Sequence, residues 1–149
     1  PISLLTMHPH TLRCPLSFRF FLSAGISGIS PDTRDVEAGI KRGDERCILA
    51  YKMYARRIAD YIGQYYVRLG GCDLIVFSAG VGENSPLVRH NVCALLTEAL
   101  GVKLDEELNN SCFGEEMVIS AKDSKIKVCV IPTDEEVMIA RDIVRLLHC

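Results

Sequence analysis

Before Asp32 the chain has no carboxylate at all, and nowhere does it have a lysine/arginine run, a C-x-x-C pair or an uninterrupted apolar span of membrane length. Each absence removes a class of function. With a formal net charge of −2 and no basic stripe, nucleic acid is not an expected partner. The seven cysteines, at 14, 47, 72, 93, 112, 129 and 149, are odd in number and form no Cys/His cluster. That spacing argues against a disulfide framework and against structural zinc, and for reduced thiols in a cytoplasmic setting. Arg19 interrupts the apolar FRFFL stretch, so no membrane span is expected there. Residues 1–22, PISLLTMHPHTLRCPLSFRFFL, share some composition with targeting peptides and are set apart as an atypical, poorly ordered start.

What is present fits one globular α/β domain: 149 residues, 48% hydrophobic and 24% charged. GISGISPDTRD (25–35) reads as turns. From Asp44 to Leu69 the spacing of Ile48, Tyr51, Ala55, Ile58, Ile62, Tyr65 and Leu69 predicts a helix, closed by Gly70-Gly71. Its five tyrosines (51, 54, 61, 65, 66) read as a core or subunit face rather than a stacking platform for a base. DLIVFSA (73–79) reads as a buried strand in a parallel or mixed sheet. A helix over 86–100 follows, capped by Asn84 or Ser85, with Val88, Val92, Leu95, Leu96 and Ala99 inward. Beyond it come a short strand VKL (102–104), a polar loop or ragged helix (105–116) and a hairpin of MVIS (117–120) with KIKVCVI (125–131). The last element is a helix from Thr133 through Leu147, opened by a Thr133/Glu136 capping box, with Val137, Ala140, Val144 and Leu147 inward. A strand ahead of the first helix is expected from residues 15–29, unless the chain starts in mid-domain.

Three short segments carry potential chemistry. AGVGEN (79–84) follows a strand and opens a helix, where bare glycine backbone and helix-end amides suit a phosphate or a base. A tight turn gives the same pattern. It is neither a Rossmann fingerprint, since Ser85 stands where the third glycine belongs, nor a P-loop, since no G-K-[ST] follows. PTDEE (132–136) crowds three carboxylates at a helix start, which suits either the helix dipole or a divalent cation beside phosphates. PDTRD (31–35) is either a solvated turn with a local ion pair or a ribose and base clamp. His90 and His148 have no partners that would make a catalytic or metal arrangement.

Taken together in this order, GISGIS-PDTRD, DLIVFSAGVGENSP, ISAKDSKIKV and IPTDEEVMIARD resemble the C-terminal part of the acetate kinase (acetokinase) family, from about Gly25 to Leu147. The resemblance implies the actin-like ATPase fold (ribonuclease H-like), present as its nucleotide-binding half over residues 23–149. It implies phosphoryl transfer between ATP and acetate, giving ADP and acetyl phosphate, with Mg²⁺, in a cytoplasmic homodimer. By the same resemblance Asp32, Thr33 and Arg34 contact the nucleoside. Gly80, Val81, Gly82, Glu83 and Asn84 form the adenosine and phosphate loop, and Glu135 binds Mg²⁺. The family usually has Asn where Asp134 stands. No catalytic residue is assigned, because the family's acyl pocket and its phosphoryl-stabilising His and Arg have no counterpart here. The expectation is therefore a C-terminal fragment, inactive alone, with exposed apolar surface where the rest of the enzyme would pack. The alternative is a non-catalytic adenine-nucleotide-binding or dimerisation module.

Overall fold

A computed structural model describes residues 4–6 and 24–147, with the backbone alone for Leu4–Thr6, Glu135 and Glu136. The strands are β1 (Leu4–Thr6), β2 (Leu74–Phe77), β3 (Met117–Val118) and β4 (Lys127–Val130). The helices are α1 (Gly25–Ser27), α2 (Thr33–Lys41), α3 (Glu45–Leu69), α4 (Ala79–Asn84), α5 (Pro86–Leu100), α6 (Glu106–Ser111) and α7 (Glu135–Leu147).

The sheet order is β1-β2-β4-β3, with β1 and β4 parallel to β2 and β3 antiparallel to β4. Ile75, Val76 and Phe77 in β2 and Val128, Cys129 and Val130 in β4 are all buried, as expected of strands covered on both faces. The expected hairpin forms with Met117 opposite Val130 and Val118 opposite Cys129. VKL contributes only an isolated bridge, Leu104 to Ser120. The strand ahead of the first helix lies at Leu4–Thr6. Of the segment expected to supply it, Ala24–Ile29 form a helical turn and a bend, and residues 15–23 lie outside the described ones.

α3 is the spine. The Asp44 carboxylate accepts from the N–H of Arg46 and Cys47 and so starts it, and Gly70 in the left-handed conformation (φ 71°) ends it. Its buried residues are Cys47, Ala50, Tyr51, Ala55, Ala59 and Ile62. All of these but Ala50 pack against α2, α5 and the sheet in one continuous core. Leu69, expected inward, is exposed because the helix outruns that core. None of Cys47, Cys72, Cys93, Cys112 and Cys129 is in a disulfide. Among the described residues no helix is long and apolar enough to cross a membrane.

Three expectations need correction. Residues 33–35, expected as part of a turn, open a helix over Thr33–Lys41, which the Asp32 side chain caps by accepting from the Arg34 N–H. On α7 the expected inward face is exposed, including Val137, Val144 and Leu147. Thr133 does not cap that helix. The Asp134 carboxylate does, accepting from the Val137 N–H at 3.0 Å.

Candidate functional site

The strand-to-helix turn at 77–84 is the centre of the site. Ser78 is extended, and Ala79 takes a positive φ of 60°, which costs a residue with a Cβ about 1–2 kcal/mol. Strain of this kind persists where the surroundings demand it. The chain then folds straight back as α4. A Cβ at Gly82 would lie 3.3 Å from the Phe77 carbonyl carbon and 3.5 Å from its Cα. The second glycine is therefore required by the turn itself, for the approach of α4 to β2. Gly80 differs: a Cβ there would meet nothing within 4 Å, and the residue is exposed. Bare backbone open to a ligand is found at Gly80. A cavity of about 260 Å³ opens between Tyr54 and Ile58 of α3 and the Phe77–Gly82 turn, with Val88 completing its wall.

Helix α4 is held from behind by a residue that apolar periodicity does not single out. Arg89 is 0% exposed on the inner face of α5. Its Nη1 donates to the carbonyls of Gly82 and Glu83, each at 2.9 Å. Nη2 donates to the carbonyls of Asn109 and Cys112, and Nε to Asn109 Oδ1, all at 2.8 Å. One guanidinium thus satisfies the C-terminal carbonyls of two short helices, α4 and α6. Burial pulls its pKa below the ordinary guanidinium value. A signal for it exists in the sequence: the buried stripe of α5 is Val88, Arg89, Val92, Cys93 and Leu96, so an arginine stands in an apolar row. The expected members Leu95 and Ala99 are exposed instead.

Helix α2 lies on one side, tied to the residue after the turn, and the 132–136 segment meets the turn on the other. α2 carries Asp32 at its cap and Glu37 further along. Ser85, the residue after α4, caps α5 by accepting from the Val88 N–H at 3.2 Å. Its hydroxyl also donates to Glu37 Oε1 at 2.6 Å, and the buried Tyr51 hydroxyl lies 3.2 Å from both. Burial pushes the Tyr51 pKa up. Of the five tyrosines, Tyr51 is in the core and Tyr54, Tyr65 and Tyr66 pack against it. Asp32 and Arg34 pair with each other at the surface, Arg34 Nη2 to Asp32 Oδ2 at 2.6 Å. Thr33 is the first residue of α2.

On the far side, the Ile131 N–H donates to Phe77 O at 3.0 Å, and Glu83 Oε1 accepts from the Thr133 N–H at 2.9 Å and its hydroxyl at 3.2 Å. Glu135 opens α7 two residues later. Asn84 Nδ2 donates to Gly80 O at 3.0 Å and so braces α4, and Val81 packs against the core. Glu83–Thr133 thus joins the 79–84 turn to the 132–136 segment, while the Glu37–Ser85 bond ties the body of α2, beyond residues 31–35, to the residue after the turn. His90 lies outside this arrangement, on the surface against Glu106 at 2.7 Å, and His148 lies outside the described residues. Among the described residues no three His, Cys, Asp or Glu side chains gather closely enough to hold a metal by themselves.

Known proteins share this architecture. The acetokinase family pattern matches residues 22–141. Acetate kinase of Dictyoglomus turgidum is 54% identical over 123 residues, covering 83% of this chain and 30% of that protein. Acetate kinase of Thermotoga maritima is 53% identical over 116 residues, covering 77% and 28%. Among solved structures, Porphyromonas gingivalis acetate kinase superposes with a TM-score of 0.74 at 46% identity, covering 84% of this chain and 31% of that one. A Francisella tularensis propionate kinase gives 0.70 at 35% identity, covering 78% and 29%. The chain spans about 30% of the length of the curated relatives it matches.

Proposed function

This chain belongs to the acetokinase family, and from that premise we propose that it carries the adenine-nucleotide side of a phosphotransferase acting between ATP and acetate. The reaction gives ADP and acetyl phosphate. The observation that carries the reading is the turn at 77–84: strained at Ala79, bare at Gly80, and hydrogen-bonded through Glu83 to Thr133 of the 132–136 segment. Phosphoryl transfer asks for positioning and charge neutralisation rather than covalent work by the protein. A rigid turn with open backbone suits that demand.

In this reading Asp32, Thr33 and Arg34 meet the nucleoside, and Gly80, Val81, Gly82 and Asn84 shape the adenosine and phosphate side. Mg²⁺, when bound, would neutralise phosphate charge. Such an ion is held by one or two protein carboxylates with phosphate and water oxygens, so the donor chemistry of Glu135 suits it. Residues 23–149 act as the nucleotide-binding part, and Leu4–Thr6 of the preceding segment adds strand β1 to its sheet. The setting is cytoplasmic and the assembly a homodimer. The isolated chain is proposed to bind nucleotide without turning over acetate.

Titration of the purified chain with Mg-ADP by calorimetry tests this, with NAD as the contrasting ligand. ADP should bind and NAD should not. Gly80→Val should weaken ADP binding about tenfold, because its side chain intrudes where the ligand approaches open backbone. Absence of ADP binding by a folded chain would leave the second reading, an association module. The exposed apolar row of α7 (Ile139, Ile143, Leu146) favours that one.

A further inference from the structure

Glu83 sits in the middle of the turn assigned to nucleotide, yet the protein itself uses both its side chain and its backbone. Its carbonyl accepts from Arg89 Nη1 at 2.9 Å and from the Gly114 N–H at 3.3 Å. Its Oε1 reaches across fifty positions of sequence to both donors of Thr133. The receiving segment has few other points of attachment. The chain leaves the sheet at Ile131, whose N–H makes the last bond to β2. Pro132 has no N–H to offer. Thr133 is the next residue that can be held, and Asp134 then caps α7. Every described residue from Ile131 to Leu147 whose side chain is described is exposed, so packing does little to fix where this helix starts.

We propose that Glu83 is a positioning residue: acting through Thr133 it fixes the start of α7, and hence Glu135, and it contacts neither nucleotide nor metal. This rests on the nucleotide reading given above and removes Glu83 from the ligand set. A carboxylate accepting two hydrogen bonds from one residue defines that residue's place, because charge-assisted bonds are the stronger class. The turn and the start of α7 then move as one body. What orders the turn also orders the glutamate two residues beyond the latch.

The full chain is tested in two arms. In hydrogen–deuterium exchange, Glu83→Ala should speed exchange over residues 131–138 about tenfold and leave α3 unchanged, because only a local bond is removed. Glu83→Gln should stay within about threefold of the parent, since its amide oxygen still accepts from Thr133. Should Glu83→Ala loosen α3 as well, Thr133→Val, which removes the hydroxyl alone, should still speed exchange about threefold over 131–138. Unchanged exchange there in Glu83→Ala and Thr133→Val overturns the latch. In the second arm ADP is titrated with and without Mg²⁺. Glu83→Ala should keep metal-free ADP affinity within about twofold and lose most of the gain that Mg²⁺ gives, with Glu83→Gln retaining it. Equal loss of metal-free ADP affinity in both variants overturns the assignment and makes Glu83 a direct contact. If the parent chain binds no ADP, the nucleotide reading and the coupling fall, while the exchange arm still decides whether Glu83 holds α7.

Discussion

A Cβ at Gly82 would stand 3.3 Å from the carbonyl carbon of Phe77, whereas one at Gly80 would meet nothing within 4 Å. The fold calls for glycine at Gly82 and leaves Gly80 open, and substitution separates them. Gly82→Ala should destabilise the chain by about 1–3 kcal/mol, because rigid strand backbone must shift. Gly80→Ala should change stability by no more than about 0.5 kcal/mol and act only on ADP affinity. Urea unfolding of the two variants measures the difference, and equal destabilisation would refute it. Both glycines are legible in the sequence as a motif, but the motif does not say which one serves the fold. That distinction depends on where β2 lies relative to α4, a tertiary fact. Arg89 is the reverse case. Its place in the apolar row of α5 is readable, but its five acceptors lie on two other segments, the ends of α4 and α6. Arg89→Met removes every donor from carbonyls that stay buried, and should cost about 3 kcal/mol or more. Arg89→Lys should recover only a minor part, since one ammonium cannot reach acceptors on both helices.

Elements are legible wherever a local signal and the periodicity agree. The long helix α3 has an Asp44 cap, an apolar stripe and a Gly70 stop, and it appears within one residue of its expected limits. α2 escapes a sequence reading because its start, PDTRD, closes a Gly/Ser/Pro/Asp-rich stretch that reads as turns. Its signals are the Asp32 cap and the Val36/Ile40 spacing. Gly39 is there for packing: a methyl group added to it would overlap Cys47 Sγ on α3. Gly39→Ala should therefore force α2 off α3 and lower stability by about 1–3 kcal/mol, despite alanine's better helix propensity. A variant as stable as the parent in thermal unfolding would show that this contact is soft. For α7 the helix is where it is expected and the burial is not: Val137, Val144 and Leu147 are exposed, as are the other described side chains of the helix. Pattern gives the face of a helix; what covers the face is a property of the surroundings.

At the scale of the molecule, burial of ionisable groups makes stability depend on alkaline pH. Cys93 lies in the core beside α6, and burial is the main reason that its thiol is pushed up from 9.0 to about 12. Unfolding returns it to water and to the ordinary value. Below pH 9 the thiol is protonated in both states and contributes no slope. Between 9 and about 12 the unfolded chain releases a proton that the folded chain keeps, so the unfolded state binds fewer protons and stability falls as pH rises. The slope from this one group is about 1.4 kcal/mol per pH unit. Burial also raises Cys47, Cys129 and Tyr51, and they add to the loss with the same sign. Urea midpoints measured from pH 7 to 11 should be flat up to about pH 9 and then decline with increasing steepness. Cys93→Ala should be less stable at neutral pH, because it empties core volume, yet decline less steeply, by about the same 1.4 kcal/mol per unit. Parallel declines in the two proteins would mean that Cys93 gains access to water before the chain unfolds. The core between α5, α6 and the sheet would then open locally at a lower cost than the rest of the molecule.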